Sequence, residues 1–168
     1  MIMTSSSSGD FSREELLAIG FAAVGNDCKV SRHAHFFATS GRLGDGVRID
    51  ALAILTGHIE LDDHAHVSPF SFLGGTGGKI QFGKHAGIST HCSLFTKSDD
   101  YSGPQGQARD KVSGDIVIGD HSIIGAGATV MPGTTIGRHC TIGAGCLLTG
   151  TIADQTRLIS MGVKSVKV

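Results

Sequence analysis

Nine histidines and an aspartate pair are the residues of this 168-residue chain with the most chemistry to offer. Imidazole and carboxylate are the side chains that most often take a proton in a transition state, and imidazole is also a common metal ligand. The closest histidine spacings are His33/His35, His64/His66 and His85/His91. Asp99 and Asp100 lie in a polar stretch, FTKSDDYSGPQGQARDKVSGD. Two further features suggest chemistry that their patterns do not support. LGGTGGKI lacks the G-K-[ST] ending of a phosphate-binding loop and no helix follows it, so Gly74 to Gly78 read as a bulged corner. Cys28, Cys92, Cys140 and Cys146 contain no CxxC pair.

The elements that position these residues announce themselves in IGDHSIIGAGATVMPGTTIGRHCTIGAGCLLTG, residues 118 to 150. Aliphatic side chains return at every sixth position there: Ile118, Ile124, Val130, Ile136, Ile142 and Leu148. A helix repeats every 3.6 residues and a half-buried strand every two, so neither alone accounts for six. A short strand followed by a corner does, and three such units close a triangular coil of about 18 residues. Traced backwards, the inward positions are Val24, Val30, Phe36; Leu43, Ile49, Leu55; Leu61, Val67, Leu73; and Phe82, Ile88, Leu94. Four residues after each falls a second inward position, uncharged and mostly small, which takes in all four cysteines as buried free thiols. The fold class is therefore an all-β, parallel β-helix prism. Eight Phe, one Tyr and no Trp suit such thin, aliphatic layers.

Residues 1–10 read as a disordered N-terminus, 11–22 as a capping helix with Ser12 and Glu15 in a capping box, and 23–153 as the β-helix with a loop over 96–116. Residues 154–168 remain as a C-terminal cap or tail for the last coil. A net charge of −1 without a Lys/Arg block excludes a nucleic-acid partner. No apolar run approaches the roughly 18 residues of a membrane span. MIMTSSSSGD lacks the cationic and apolar stretches of a secretion signal, so a cytoplasmic location is expected.

Seven of the nine histidines (33, 58, 64, 85, 91, 121 and 139) take the fourth position of a hexapeptide, where other repeats have Gly46, Gly127, Gly133 and Gly145. A corner needing positive φ explains that placement. Stacking the coils puts His64, His85, His121 and His139 in one column. His66 falls off the pattern and stands above the others as a functional candidate.

The repeats resemble those of the left-handed β-helix acyltransferases of the hexapeptide-repeat superfamily, over residues 24 to 163. SDDYSGP followed by IIGAGATVMPGTTIG is most similar to the acetyltransferases of nucleotide sugars and surface polysaccharides. The resemblance implies a homotrimer with acetyl-CoA as co-substrate, a sugar hydroxyl or amine as acceptor, and no metal. It implies that the backbone at Ala126 and Ala144 meets the pantetheine arm, with Thr149 further along it and Lys164 and Lys167 near the adenosine phosphates. Aligning GISTHCSL with the galactoside acetyltransferases puts Asp99 or Asp100 where that group has its histidine base. GHIELDDHAHVSP is similar to a segment of the bacillosamine-type enzymes and would make His58 the base and His66 the residue approaching the thioester. The competing reading is a prism like the gamma-class carbonic anhydrases, whose zinc ligands include an HxxxxH pair. No two histidines here are five apart.

Overall fold

Six-residue units turn a corner because one residue in each adopts a left-handed backbone, and the computed structural model has such a residue at nearly every corner. It describes residues 9–99 and 110–160. His64, His85, His91, His121 and His139 have φ between 55° and 59°, and Gly46, Gly127, Gly133 and Gly145 between 65° and 77°. Histidine and glycine thus alternate at these positions for the steric reason inferred from sequence. His33 and His58 do not share this conformation.

The prism is a left-handed parallel β-helix with three faces. The first face consists of β1 (Phe21–Val24), the C-terminal parts of β3 (His35–Leu43), β5 (Ile54–Leu61) and β7 (Phe72–Phe82), then β12 (Ile116–Ile118), β15 (Thr135–Ile136) and β18 (Thr151–Ile152). The second comprises β2 (Lys29–Val30), β4 (Arg48–Ile49), β6 (His66–Val67), β8 (Gly87–Ile88), β13 (Ile123–Ile124), β16 (Thr141–Ile142) and β19 (Arg157–Leu158). The third takes the N-terminal parts of β3, β5 and β7, followed by β9 (Ser93–Phe95), β14 (Thr129–Val130) and β17 (Leu147–Leu148). Every ladder along the faces is parallel and pairs inward residue with inward residue, as in Ile88↔Ile124↔Ile142.

Seventeen of the eighteen first inward positions are buried, and Phe36 packs against them half-buried. The second inward positions hold except beside the insertions, where Thr39, Ile80 and Thr96 go inside instead of Ser40, Gly77 and Ser98. Thr96 satisfies its buried hydroxyl by donating to the Gly74 carbonyl at 2.7 Å. At the corner between first and second faces, carboxylates bind the coil below: Asp45 accepts from Asn26 N at 2.7 Å, Asp63 from Asp45 N at 3.0 Å, Asp120 from Lys84 N at 2.9 Å and Asp154 from Arg138 N at 2.8 Å. The imidazoles of His64, His85, His121 and His139 stack beside them with centroids 4.8, 4.9 and 5.0 Å apart.

Helix α1 spans Arg13–Ile19, with the capping box of Ser12 and Glu15 formed and Leu16 buried against the first coil. The chain re-enters the prism at Phe21, one residue before the expected helix end. At the other end β18 and β19 add a partial seventh turn, so strand structure runs past residue 153 into the segment read as a cap. The expected loop 96–116 begins and ends as an antiparallel hairpin, β10 (Lys97–Asp99) with β11 (Lys111–Ser113).

All four cysteines are free thiols, Cys92 and Cys140 buried and Cys28 and Cys146 half-buried. Cys140 fills its corner with Sγ 3.1 Å from the Ala153 carbonyl. Replacing it with Leu should overpack the coil and cost about 1 to 3 kcal/mol, while Ser should cost less and Leu at the more open Cys146 should be better tolerated. Urea denaturation of the three variants tests the ordering.

Candidate active site

Two edges of the third face gather most of the candidate residues. On the edge shared with the second face, Ala126 and Ala144 sit one coil apart, with Gly145 N donating to the Ala126 carbonyl at 2.8 Å. Among the described residues, neither alanine amide donates to another backbone carbonyl. A Cβ placed on the adjoining Gly127 or Gly145 would meet no heavy atom within 4 Å, so the surface beside these amides is open over two coils. An extended, amide-containing ligand arm such as pantetheine has room to lie along it.

On the opposite edge the hairpin and the face border an open recess of about 300 Å³. Its lining is Ser98, Asp99, Val112, Met131, Pro132, Leu147 and Thr149. Asp99, a candidate base, and Thr149, a candidate ligand contact fifty positions later, therefore border one open, largely apolar recess. Lys111 Nζ lies 3.7 Å from Asp99 Oδ1 across the hairpin. Asp100, Lys164 and Lys167 lie outside the described residues.

The two candidate histidines of GHIELDDHAHVSP are not brought together. His58 stands on the edge between third and first faces, paired with Lys79, and Gly57 pairs with Gly75 of the glycine bulge. Both its ring nitrogens are engaged: Nδ1 is 3.1 Å from Ser40 Oγ and Nε2 is 3.0 Å from Glu60 Oε1. Gln81 donates to the other Glu60 oxygen at 2.7 Å. The hydrogen bond from His58, then that from Gln81, holds the Glu60 carboxyl below its usual range. This network joins residues from three coils, and only the outward alternation of Arg42, Glu60 and Gln81 hinted at it in the sequence.

His66 faces outward on the second face, half-buried, between Arg48 and Gly87 in the ladder. A side chain at Gly87 would collide with the imidazole, so the glycine makes its seat. Burial pushes the ring below its ordinary pKa, the Arg48 charge adds to this, and Asp50 opposes it. Lys29, Arg48, His64 and His66 border an open recess of about 430 Å³ with Asp27 and Gly46. Among the described residues no group of three or more His, Cys, Asp or Glu is placed to hold a metal ion, and no helix is long and apolar enough to cross a membrane.

The family model for bacterial transferase hexapeptide (six repeats) matches residues 115–150. The dTDP-4-amino-4,6-dideoxy-D-glucose acyltransferase of Escherichia coli is 31% identical over 129 residues, covering 70% of this chain and 67% of the relative. This chain belongs to the hexapeptide-repeat acyltransferases. AntD of Bacillus cereus, an N-acyltransferase crystallised with dTDP-4-amino-4,6-dideoxyglucose and coenzyme A, superposes with a TM-score of 0.80 at 27% identity, over 96% of this chain and 90% of its own. PerB of Caulobacter crescentus, solved with CoA and GDP-perosamine, shares the fold, with a TM-score of 0.62 at 21% identity over 79% of this chain and 54% of PerB.

The setting of His66 has a consequence for stability. Its folded form resists protonation, whereas the unfolded chain takes up that proton near pH 6.5. Its contribution is therefore intact above about pH 6.5 and is lost as pH falls from there through the lower folded value. His66→Gln should flatten that part of the profile of thermal midpoint between pH 8 and 5, measured by circular dichroism.

Proposed function

We propose that this protein transfers an acyl group, with acetyl the simplest case, from a coenzyme A thioester to the amine of a nucleotide-linked amino sugar. The observation that carries the reading is the meeting of Asp99 and Thr149 in one open, mainly apolar recess beside the hairpin, on a face whose other edge offers the Ala126 and Ala144 amides beside open space. The chemistry of the relatives favours an amine over a hydroxyl, because the Escherichia coli enzyme and AntD both act on or bind a 4-amino sugar. We place the reaction in the assembly of surface polysaccharides, the group whose acetyltransferases SDDYSGP and IIGAGATVMPGTTIG resemble.

Thioester aminolysis needs the two reactants held in line and a group to receive the proton of the attacking nitrogen. The donor's pantetheine arm lies along that open edge with its amides meeting the backbone of Ala126 and Ala144, while Thr149 stands on the opposite edge of the face beside Asp99. Lys164 and Lys167 are proposed near the adenosine phosphates. The receiving base is Asp99 or its neighbour Asp100. His58 is a weaker base because both its nitrogens already have partners, and His66 stands on a different face from the cavity. The enzyme works as a homotrimer, a reading favoured by apolar groups left at the surface of the third face and its edges, Phe37 at 58%, Phe70 at 53% and Leu147 at 69% exposure. Four free thiols suit the reducing cytoplasm. The metal-binding alternative finds no ligand cluster among the described residues.

The test is a thiol-release assay with acetyl-CoA and dTDP-4-amino-4,6-dideoxyglucose, with the amide product identified by mass spectrometry. Absence of transfer to this and to other nucleotide-linked amino and neutral sugars would overturn the reading. In the active enzyme, the double substitution Asp99→Ala/Asp100→Ala should lower turnover roughly 10²- to 10⁴-fold at saturating donor and acceptor. Near wild-type turnover in that variant would move the base role to His58 and His66.

A further inference from the structure

The column of left-handed residues between second and third faces changes character half-way along the prism. Its later rungs are Leu52 and Phe70, then His91, then Gly127 and Gly145. Leu52 and Phe70 hold φ of 63° and 59°, a conformation that bulky residues rarely adopt. Phe70 stacks on His91 with centroids 4.9 Å apart and planes at 14°. One face of the imidazole is thereby covered. The other faces the open space over Gly127 and Gly145, beside the amides of Ala126 and Ala144. His91 stands at the foot of the groove assigned to the donor's arm.

Its tautomer is set by its neighbours. Thr90 donates its hydroxyl hydrogen to the Pro69 carbonyl at 2.8 Å. A hydroxyl has only one hydrogen to give, so the 2.9 Å contact between Thr90 Oγ1 and His91 Nδ1 is made by the imidazole N–H. The proton sits on Nδ1 and Nε2 keeps its lone pair. Corner sterics explain why a histidine is allowed at position 91. They do not explain a ring held between an aromatic platform and open space, with Nδ1 bonded to Thr90 and Nε2 without a partner among the described residues.

We propose that His91 is a further catalytic residue of the acyl transfer, taking the first proton from the acceptor nitrogen; this rests on the reading of the protein as an amino-sugar acyltransferase. An amine that arrives as an ammonium ion loses two protons before it becomes an amide. His91 Nε2 takes the first and so generates the free amine, whose lone pair attacks the thioester carbonyl. The C–N bond forms and the C–S bond breaks. The second nitrogen-bound proton goes to the loop carboxylate, the departing thiolate takes a proton from the His91 imidazolium, and the remaining proton returns to solvent. Asp99 of the same copy stands beyond β9 at the far edge of the third face. In the homotrimer proposed above, the His91 and the Asp99 that serve one acceptor would belong to neighbouring copies.

The test uses His91→Gly, which fits a φ of 59° as Gly127 and Gly145 fit theirs, with Thr90→Val as its companion. His91→Gly should fold, bind coenzyme A as tightly as the wild type by calorimetry, and turn over roughly 10²- to 10⁴-fold more slowly. Added imidazole should restore part of that loss. Thr90→Val should slow turnover about 10-fold by releasing the tautomer, with no rescue by imidazole. Undiminished turnover in His91→Gly, or a loss that imidazole leaves untouched, overturns the assignment while the acyltransferase reading stands. An inactive wild type with every amino sugar overturns that reading and this assignment with it.

Discussion

Registry between successive coils is the constraint on which the rest of this molecule depends. Each coil lies on the one before with parallel ladders that match inward residue to inward residue, at the roughly 4.8 Å spacing of neighbouring strands. A side chain is therefore judged chiefly by what stands above and below it. Columns form as a result: aliphatics in the core, carboxylates that accept the amide of the coil below, and imidazoles stacked at 4.8 to 5.0 Å. Such columns close the polar accounts of the corners, where a chain reversing direction would otherwise leave amides unpaired.

A site on this scaffold is made where a column changes residue type or where a coil is interrupted. Between second and third faces the change is from Phe70 and His91 to Gly127 and Gly145, which turns a filled ridge into an open groove. Between third and first faces the interruption comes twice. The glycine bulge brings Gly77 N to Thr96 Oγ1 at 3.0 Å, and the hairpin then departs from the next residues. Insertions tolerated at corners leave the layers beneath them intact, because Ile80 and Ile116 still face inward beside the paired Phe82 and Ile118.

The polar groups of the prism divide by how fully their hydrogen-bonding capacity is used. His58 spends both ring nitrogens, and its bond to Glu60 keeps that carboxyl ionised with Gln81 on its other oxygen. A group held so tightly is suited to bracing the edge from which the loop departs. His66 is seated over a glycine and kept neutral by burial. Among the described residues, His91 is bonded at one nitrogen, to Thr90, and Asp99 pairs with Lys111 at the border of a recess lined mainly by apolar side chains.

What the sequence by itself determined was everything governed by local period. Six-residue spacing specified the strands, the inward aliphatics, the small second positions and the imidazole column, and the three-residue spacing of Ser12 and Glu15 specified the capping box of α1, because each depends on neighbours a fixed number of residues away. The period fails beside insertions, which is why Thr39, Ile80 and Thr96 replaced the expected inward residues, and it gave no sign that β18 and β19 would extend the stack. Candidate site residues were legible as types but not as partners. Asp99 and Thr149 are fifty positions apart in the chain and share a cavity only once the hairpin folds back over the face. His58 and His66 are eight apart and part company because a corner lies between them. The free nitrogen of His91 depends on Thr90 giving its one hydrogen to Pro69 in the coil below. Contacts of that kind are set by the insertions and the stacking together, and only the tertiary structure decides them.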